Sequence, residues 1–147
     1  MQLTFYSDYS FRVLFYLANM QKETATIAEI SDFYHISKNH LVKVVHRLSQ
    51  QGFIISLRGK GGGIKLAKNP DEIKLSDVAR KTEPNFTLVE CFDPKTNQCV
   101  ITNACRLKGI LNEALMAFFH VLENYTIADT LNNKLTKQIT LSLLNQK

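Results

Sequence analysis

The chain has 147 residues, 45% of them hydrophobic and 21% charged, with a formal net charge of +5. That suits one compact domain, or a small domain with an oligomerising extension, and is too apolar for a disordered protein. No apolar run reaches the roughly 18 residues needed to cross a bilayer, and the apolar-rich stretch from Leu3 to Leu17 is broken by Asp8 and Arg12 with no basic segment before it, so neither a membrane span nor a signal peptide is expected and the cytoplasm is the expected compartment.

Taken in chain order, Ser7 to Met20 reads as a helix. Phe11, Leu14, Phe15, Leu17 and Ala18 recur at helical spacing, Ser7 is placed to cap it, and Asp8 falls in its first turn. Thr26 to Tyr34 is a second, short helix with Ile27, Ile30 and Phe33 on one face. His35, Ile36 and Ser37 make a tight connection. Ser37 then caps a third helix, Lys38 to Gln50, whose inward face is Leu41, Val44, Val45 and Leu48 and which Gly52 ends. Phe53 to Leu57 and Ile64 to Ala67 are strands around the tip Arg58 to Gly63, a hairpin. Leu75 to Thr82 is a short helix capped by Ser76 or the residue before it. Pro84 and Pro94 bracket an irregular stretch running to Cys105, and the helical period returns from Arg106 to Tyr125. Residues 132–147 are weakly patterned; Ile139, Leu141, Leu143 and Leu144 suit a short helix whose packing partner the sequence does not name.

Two short helices, a three-residue turn, a capped third helix and a hairpin describe a winged helix-turn-helix. The charge agrees. Between His35 and Lys68 stand seven basic residues and no Asp or Glu, a one-sign field that attracts polyanions. A solvated basic surface is the plainer alternative. The outer face of the third helix offers Lys38, Asn39, His40, Lys43 and Arg47. The N-terminal part of such a helix enters the major groove, so Asn39 and His40 are placed for base edges and Lys43 and Arg47 for phosphates. Arg58 and Lys60 at the wing tip suit a narrow minor groove. The glycine cluster at the tip is no dinucleotide loop, since no helix follows it, and it lacks the Lys-Ser/Thr ending of a P-loop. No acid–base or nucleophilic constellation appears, so no enzymatic activity is expected.

Cys91, Cys99 and Cys105 are the only cysteines and stand in the spacing C-x7-C-x5-C. An odd count in a reducing compartment argues against disulfides and for metal or redox chemistry. The gaps are wider than the two to four residues that usually pair zinc ligands, and suit an iron–sulfur cluster with several metal corners, one ligand short. Taken singly, each would be a small buried hydrophobe.

Several stretches carry a resemblance. They are Phe5-Tyr6-Ser7-Asp8-Tyr9, the third helix from Ser37 to Lys43, the tip Arg58 to Ile64, Ile101 to Lys108, and Asn124 to Asp129. Across residues 1–131 the chain resembles the iron–sulfur winged-helix repressors, the family of IscR-like regulators, and within it the nitric-oxide-sensing members. The gap from Cys91 to Cys99 is longer than in several of those. The resemblance implies an iron–sulfur cluster, 4Fe–4S or 2Fe–2S, bound by Cys91, Cys99 and Cys105, with Asp8 of the partner subunit as fourth ligand. A carboxylate is a hard, weaker iron ligand, so that corner would be the labile one. Read from the residues alone, Asp8 is a first-turn helix residue serving the dipole.

Leu111, Leu115, Phe118, Leu122 and Tyr125 alternate steps of four and three, a coiled-coil-like dimerisation seam. Ile110, Ala114, Ala117 and Val121 form a second apolar stripe beside it. One stripe can face the parent domain and the other then needs a partner. The expectation is a mainly α fold with a small β-hairpin: a winged helix-turn-helix domain over 1–83, a cysteine loop over 84–105, a dimerisation helix and turn over 106–131, and a tail over 132–147. The expected function is a homodimeric repressor of double-stranded, palindromic operator DNA with nitric oxide as effector. The alternatives are a repressor of the same family reading iron or cluster supply, a zinc-stabilised DNA-binding protein, and an iron–sulfur electron-transfer protein.

Overall fold

Helix ends and strand pairings in this fold are set by local chemistry that the computed structural model resolves for residues 2–59 and 61–145. Helix α1 (Phe5–Asn19) begins two residues before the expected start, because Thr4 in an extended conformation supplies the capping oxygen, accepting from the Ser7 N–H at 3.3 Å. Ser7 therefore does not cap. It lies fully buried inside the first turn. Helix α2 (Ile27–Tyr34) opens on a capping box in which Thr26 and Glu29 satisfy each other's backbone N–H. It ends on His35 in the left-handed region, φ 54°, with the Ser31 hydroxyl donating to the Ile36 carbonyl at 2.7 Å to close the turn.

Helix α3 (Lys38–Gln50) starts after Ser37 as expected, but the Ser37 hydroxyl makes no cap bond; its carbonyl accepts from His40 and Leu41, each at 3.1 Å. Four apolar residues on one face, Leu41, Val44, Val45 and Leu48, are buried. At its far end Gly52 takes φ 76°, the Gly52 N–H bonds Ser49 and the Phe53 N–H bonds Leu48 at 3.0 Å, satisfying carbonyls the helix leaves open.

Strands β1 (Ile54–Leu57) and β2 (Gly63–Leu66) form the hairpin, antiparallel, with Ile54 opposite Leu66 and Leu57 opposite Gly63. Ile64 also exchanges two backbone bonds with Ala25, at 2.8 and 2.9 Å, which ties the wing to the segment before α2. Gly63 is required there: a Cβ would stand 2.7 Å from the Ala25 carbonyl oxygen. Helix α4 (Leu75–Thr82) has Lys74 at its N-cap with no side-chain bond, and Ser76, expected to cap, is buried within the helix.

Helix α5 (Arg106–Glu123) stops two residues short of the expected Tyr125, which follows in a turn. The chain then returns to the head. Leu75 N–H bonds the Tyr125 carbonyl and Ile127 N–H bonds the Ile73 carbonyl, both at 2.9 Å. The weakly patterned tail forms helix α6 (Asn133–Leu144), packed on α1 and α2. Buried Asn19 accepts from the Asn132 N–H at 2.9 Å at its entry. A single buried cluster runs through Leu14, Ile30, Leu41, Leu48, Ile64, Ile73, Ile127 and Ile139, drawing on the helices before the wing, the wing and the return from α5. The architecture is mainly helical with one small hairpin, as expected. No helix among the described residues is long and apolar enough to cross a membrane.

Candidate DNA-reading surface and cysteine hollow

The 3.6-residue period that buries Leu41, Val44, Val45 and Leu48 necessarily turns Lys38, Asn39, His40, Lys43 and Arg47 outward, and all five are exposed. Among the described residues none of Lys38, Lys43, Arg47 or Arg58 is ion-paired to a carboxylate, whereas Lys65, in the same basic segment, is taken up by Glu23 at 2.8 Å. Arg58 is exposed at the end of β1. Lys60, the other residue expected at the wing tip, lies outside the described residues.

Sequence reasoning missed what stands behind this face. Two α1 aromatics support it: the Arg47 guanidinium lies 5.0 Å from the Tyr6 ring centre, and the His40 and Tyr9 rings are 6.4 Å apart. Burial pushes the Tyr6 hydroxyl above its ordinary value, with Arg47 opposing. Val42 was also passed over. It is 51% exposed between Leu41 and Lys43, an apolar contact suited to a thymine methyl. Its signal was present: it is the one apolar residue of the third helix off the buried face.

The three cysteines are brought together. Cys91 sits in a short turn at Glu90–Phe92, Cys105 at the N-cap of α5, and Cys99 between them, and all three line one hollow of about 540 Å³ with Val89, Ile101 and Lys108. Each is a free thiol, partly exposed. Among the described residues no three His, Cys, Asp or Glu side chains stand close enough to grip one metal ion. The two facts are compatible. The thiols share a hollow without closing on one point, and three soft donors of this kind fit a centre with several metal corners.

The loop is shaped from within. Asp93 accepts from the Lys95 N–H at 2.9 Å and the Thr96 hydroxyl at 3.1 Å, so the long gap between the first two cysteines is a self-contained turn. Asn97 accepts from the Cys99 N–H at 3.1 Å, and the Thr102 hydroxyl donates to the Cys99 carbonyl at 2.8 Å.

Asp8 is not brought to the cysteines of its own chain. It lines a separate hollow of about 570 Å³ with Phe5, Phe11 and Leu122, where Arg12 grips it through two bonds of 3.0 and 2.8 Å. That hydrogen bonding raises the Arg12 pKa, and the guanidinium stands 5.9 Å from the ring centres of Tyr9 and Tyr34.

On α5 the parent domain half-covers Leu111, Leu115, Phe118 and Leu122, while Tyr125, beyond the helix end, is exposed. The second stripe is the open one: Ile110, Ala114, Ala117 and Val121 are exposed, and Leu107 extends the same line.

Residues 3–133 match the Rrf2 family, described as iron-dependent transcriptional regulators. The chain is 50% identical over 135 residues to the HTH-type transcriptional regulator NsrR of Bacillus subtilis (strain 168), covering 91% of this chain and 92% of that protein. It is 47% identical over 144 residues to the regulator of the same name from Halalkalibacterium halodurans, covering 97% and 99%. Among solved structures it superposes on T. potens IscR with a TM-score of 0.69 at 22% identity, over 88% of this chain and 85% of that one. The structure of CymR, the global cysteine regulator of B. subtilis, gives a TM-score of 0.69 at 22% identity, over 88% and 95%. At that identity the two structures establish a shared fold.

Proposed function

We propose, on the premise that this chain belongs to the Rrf2 family of transcriptional regulators, that it is a homodimeric DNA-binding repressor whose operator affinity falls when nitric oxide reaches an iron–sulfur cluster held by Cys91, Cys99 and Cys105. The observation that carries the reading is three free thiols sharing one hollow, in a chain half identical to regulators named NsrR.

An iron–sulfur cluster bound there, four-iron or two-iron, would supply iron centres that react with nitric oxide. The residues of the chain do the rest. Three soft thiolates would hold it, and Asp8 of a second copy would be the fourth donor, a harder and weaker ligand for iron than the thiolates. Arg12 fixes the Asp8 carboxylate on the first turn of α1, so the donor is oriented before it meets a partner. Lys38, Lys43 and Arg47 neutralise phosphates, Asn39 and His40 read base edges, and Arg58 with Lys60 follows the minor groove.

Dimerisation supplies the second Asp8 and the second reading helix for a palindromic operator. The open stripe Ile110, Ala114, Ala117 and Val121 needs cover. The half-open grooves beside Leu111, Leu115, Phe118, Leu122 and Tyr125 complete the proposed seam. The family description, iron-dependent, favours one second reading, in which iron or cluster supply is the signal.

The test is an anaerobic absorption spectrum of the purified dimer with operator binding followed as nitric oxide is added. Visible bands that collapse while affinity falls establish the reading. A chromophore that resists nitric oxide, with binding unchanged until iron is withdrawn, establishes the second one. A colourless protein with stoichiometric zinc overturns both.

A further inference from the structure

We propose that Glu83 is a positioning residue that couples the cysteine loop to the DNA-reading helix, an inference that rests on the cluster-dependent reading above. Glu83 follows the last residue of α4 and precedes Pro84, the root of the loop that leads to Cys91. Its Oε1 accepts two bonds from Thr4, one from the backbone N–H at 2.8 Å and one from the hydroxyl at 3.1 Å, across 79 residues of sequence.

Thr4 is the N-cap of α1, and the clasp determines how it caps. A threonine hydroxyl has one hydrogen. Of its two acceptors the charged carboxylate at 3.1 Å is nearer than the Ser7 hydroxyl at 3.3 Å, and with the hydrogen directed there the oxygen lone pairs are left for the Ser7 N–H, which bonds it at 3.3 Å. The carboxylate also stands at the positive end of the α1 dipole. Glu83 thereby sets the start of the helix that carries Tyr6, Asp8 and Tyr9 in its first turn and a half.

The route runs on in both directions. Tyr6 lies against Arg47 at 5.0 Å and Tyr9 beside His40 at 6.4 Å, so the start of α1 bears on two residues of the reading face. On the other side, Phe86 stacks edge-on against Phe119 of α5 with ring centres 4.6 Å apart, so the loop root is also pinned to the proposed dimer helix. Between the two anchors lies a groove of about 530 Å³ lined by Leu3, Thr4, Pro84, Phe86, Leu115 and Phe118. Loosely packed side chains transmit little displacement, whereas close-packed or bonded ones transmit it well. Across this groove the Glu83–Thr4 clasp is the polar tie that passes the position of the loop root to α1, and α1 passes it to α3.

The experiment measures Kd for a duplex selected from a random-sequence library with cluster-loaded wild-type dimer. It compares anaerobically loaded with chelator-stripped protein, and its readout is the ratio of the two Kd values. Glu83→Ala is expected to shrink that ratio roughly five- to tenfold with the visible spectrum of the loaded protein unchanged. Glu83→Gln, which keeps an acceptor oxygen in place, is expected to restore most of it. A merely structural role would weaken both states equally and leave the ratio at its wild-type value, and that result overturns the proposal. Should the alanine variant not fold, Glu83→Asp retracts the oxygen from Thr4 while keeping the charge, and the same ratio decides. Amide exchange at Ser7 and Asp8 gives an arm independent of any cluster: faster exchange in Glu83→Ala supports the clasp, and unchanged exchange overturns it. A wild-type ratio of one, with the exchange arm positive, locates the failure in the cluster-dependent function and not in the clasp.

Discussion

The head of this protein and its cysteine loop are built on opposite plans. From α1 to α4 every element contributes buried apolar side chains to one cluster, and its turns are closed by a capping box and a glycine C-cap. Between Pro84 and Cys105 no residue is buried, Val100 is 97% exposed, and the shape comes from Asp93, Asn97 and Thr102 bonding their near neighbours. Few buried contacts and solvent-reachable hydrogen bonds place a segment at the low end of local stability. The DNA-reading part thus draws its order from a buried core that the return from α5 and α6 complete, while the segment that carries the thiols is the part whose order a bound centre or a partner can alter.

The sharpest way to break that contrast is to cut both regions. Leu14→Ala, at a position with no exposed surface, should cost about 2–5 kcal/mol of unfolding free energy in urea denaturation. Cys99→Ser on the loop should remove visible absorption after anaerobic reconstitution yet move the metal-free protein by less than about 0.5 kcal/mol. If the serine variant unfolds as readily as the alanine variant, the loop is part of the core and the contrast fails.

The reading face offers the next largest effects. Asn39→Ala should cost about 1–3 kcal/mol of operator binding and relax preference at one base position. Lys43→Ala should weaken all duplexes alike and reduce the salt dependence of log K by about one. Fluorescence anisotropy against salt separates the two, and equal behaviour of the two variants would sink the assignment of base and phosphate roles.

Asp8→Ala probes the boundary between the regions. Its ion pair with Arg12 is about 40% exposed on both sides, so its loss should cost cluster-free stability no more than about 1 kcal/mol. Loaded dimer should nonetheless lose its visible absorption faster and respond differently to nitric oxide. Wild-type cluster lifetime and response in this variant would remove Asp8 from the ligand set.

The smallest effect concerns the head alone. Burial pushes the Tyr16 and Tyr34 hydroxyls up to about 12 from 10.0, so the neutral phenol is favoured in the fold. Their contribution is fully present below pH 10 and is lost as pH rises towards about 12. Among the described residues the Tyr16 hydroxyl has no hydrogen-bond partner, so Tyr16→Phe should be nearly neutral at pH 7 and should shrink the alkaline loss seen in thermal unfolding. An alkaline loss identical to wild type would assign it to other groups.

Much of the head was legible because its signals are local and periodic. The buried face of α3 follows from residues three and four apart, and the wing from two short strands around glycines. The two misread caps share one cause: Ser7 and Ser76 are good capping types, but a cap needs backbone geometry as well as an oxygen, and Thr4 and Lys74 occupy those positions. The partner of α6 was not legible, since Ile139 reaches its neighbours on α1 and α2 more than a hundred residues away in sequence. The Arg12 grip on Asp8 was available as an i, i+4 pair, while the Glu83–Thr4 clasp left no local trace.

By itself, the sequence determined which residues face outward on the reading helix, that a basic hairpin follows it, and that three thiols lie on one irregular stretch, because period, turn chemistry and residue type act over a few neighbours. Only the tertiary structure decided that those thiols share one hollow, that Asp8 lies in another, and that the Ile110–Val121 stripe is the one left open. Each of these depends on how distant segments pack, and packing is set by the whole buried surface and not by any window of sequence.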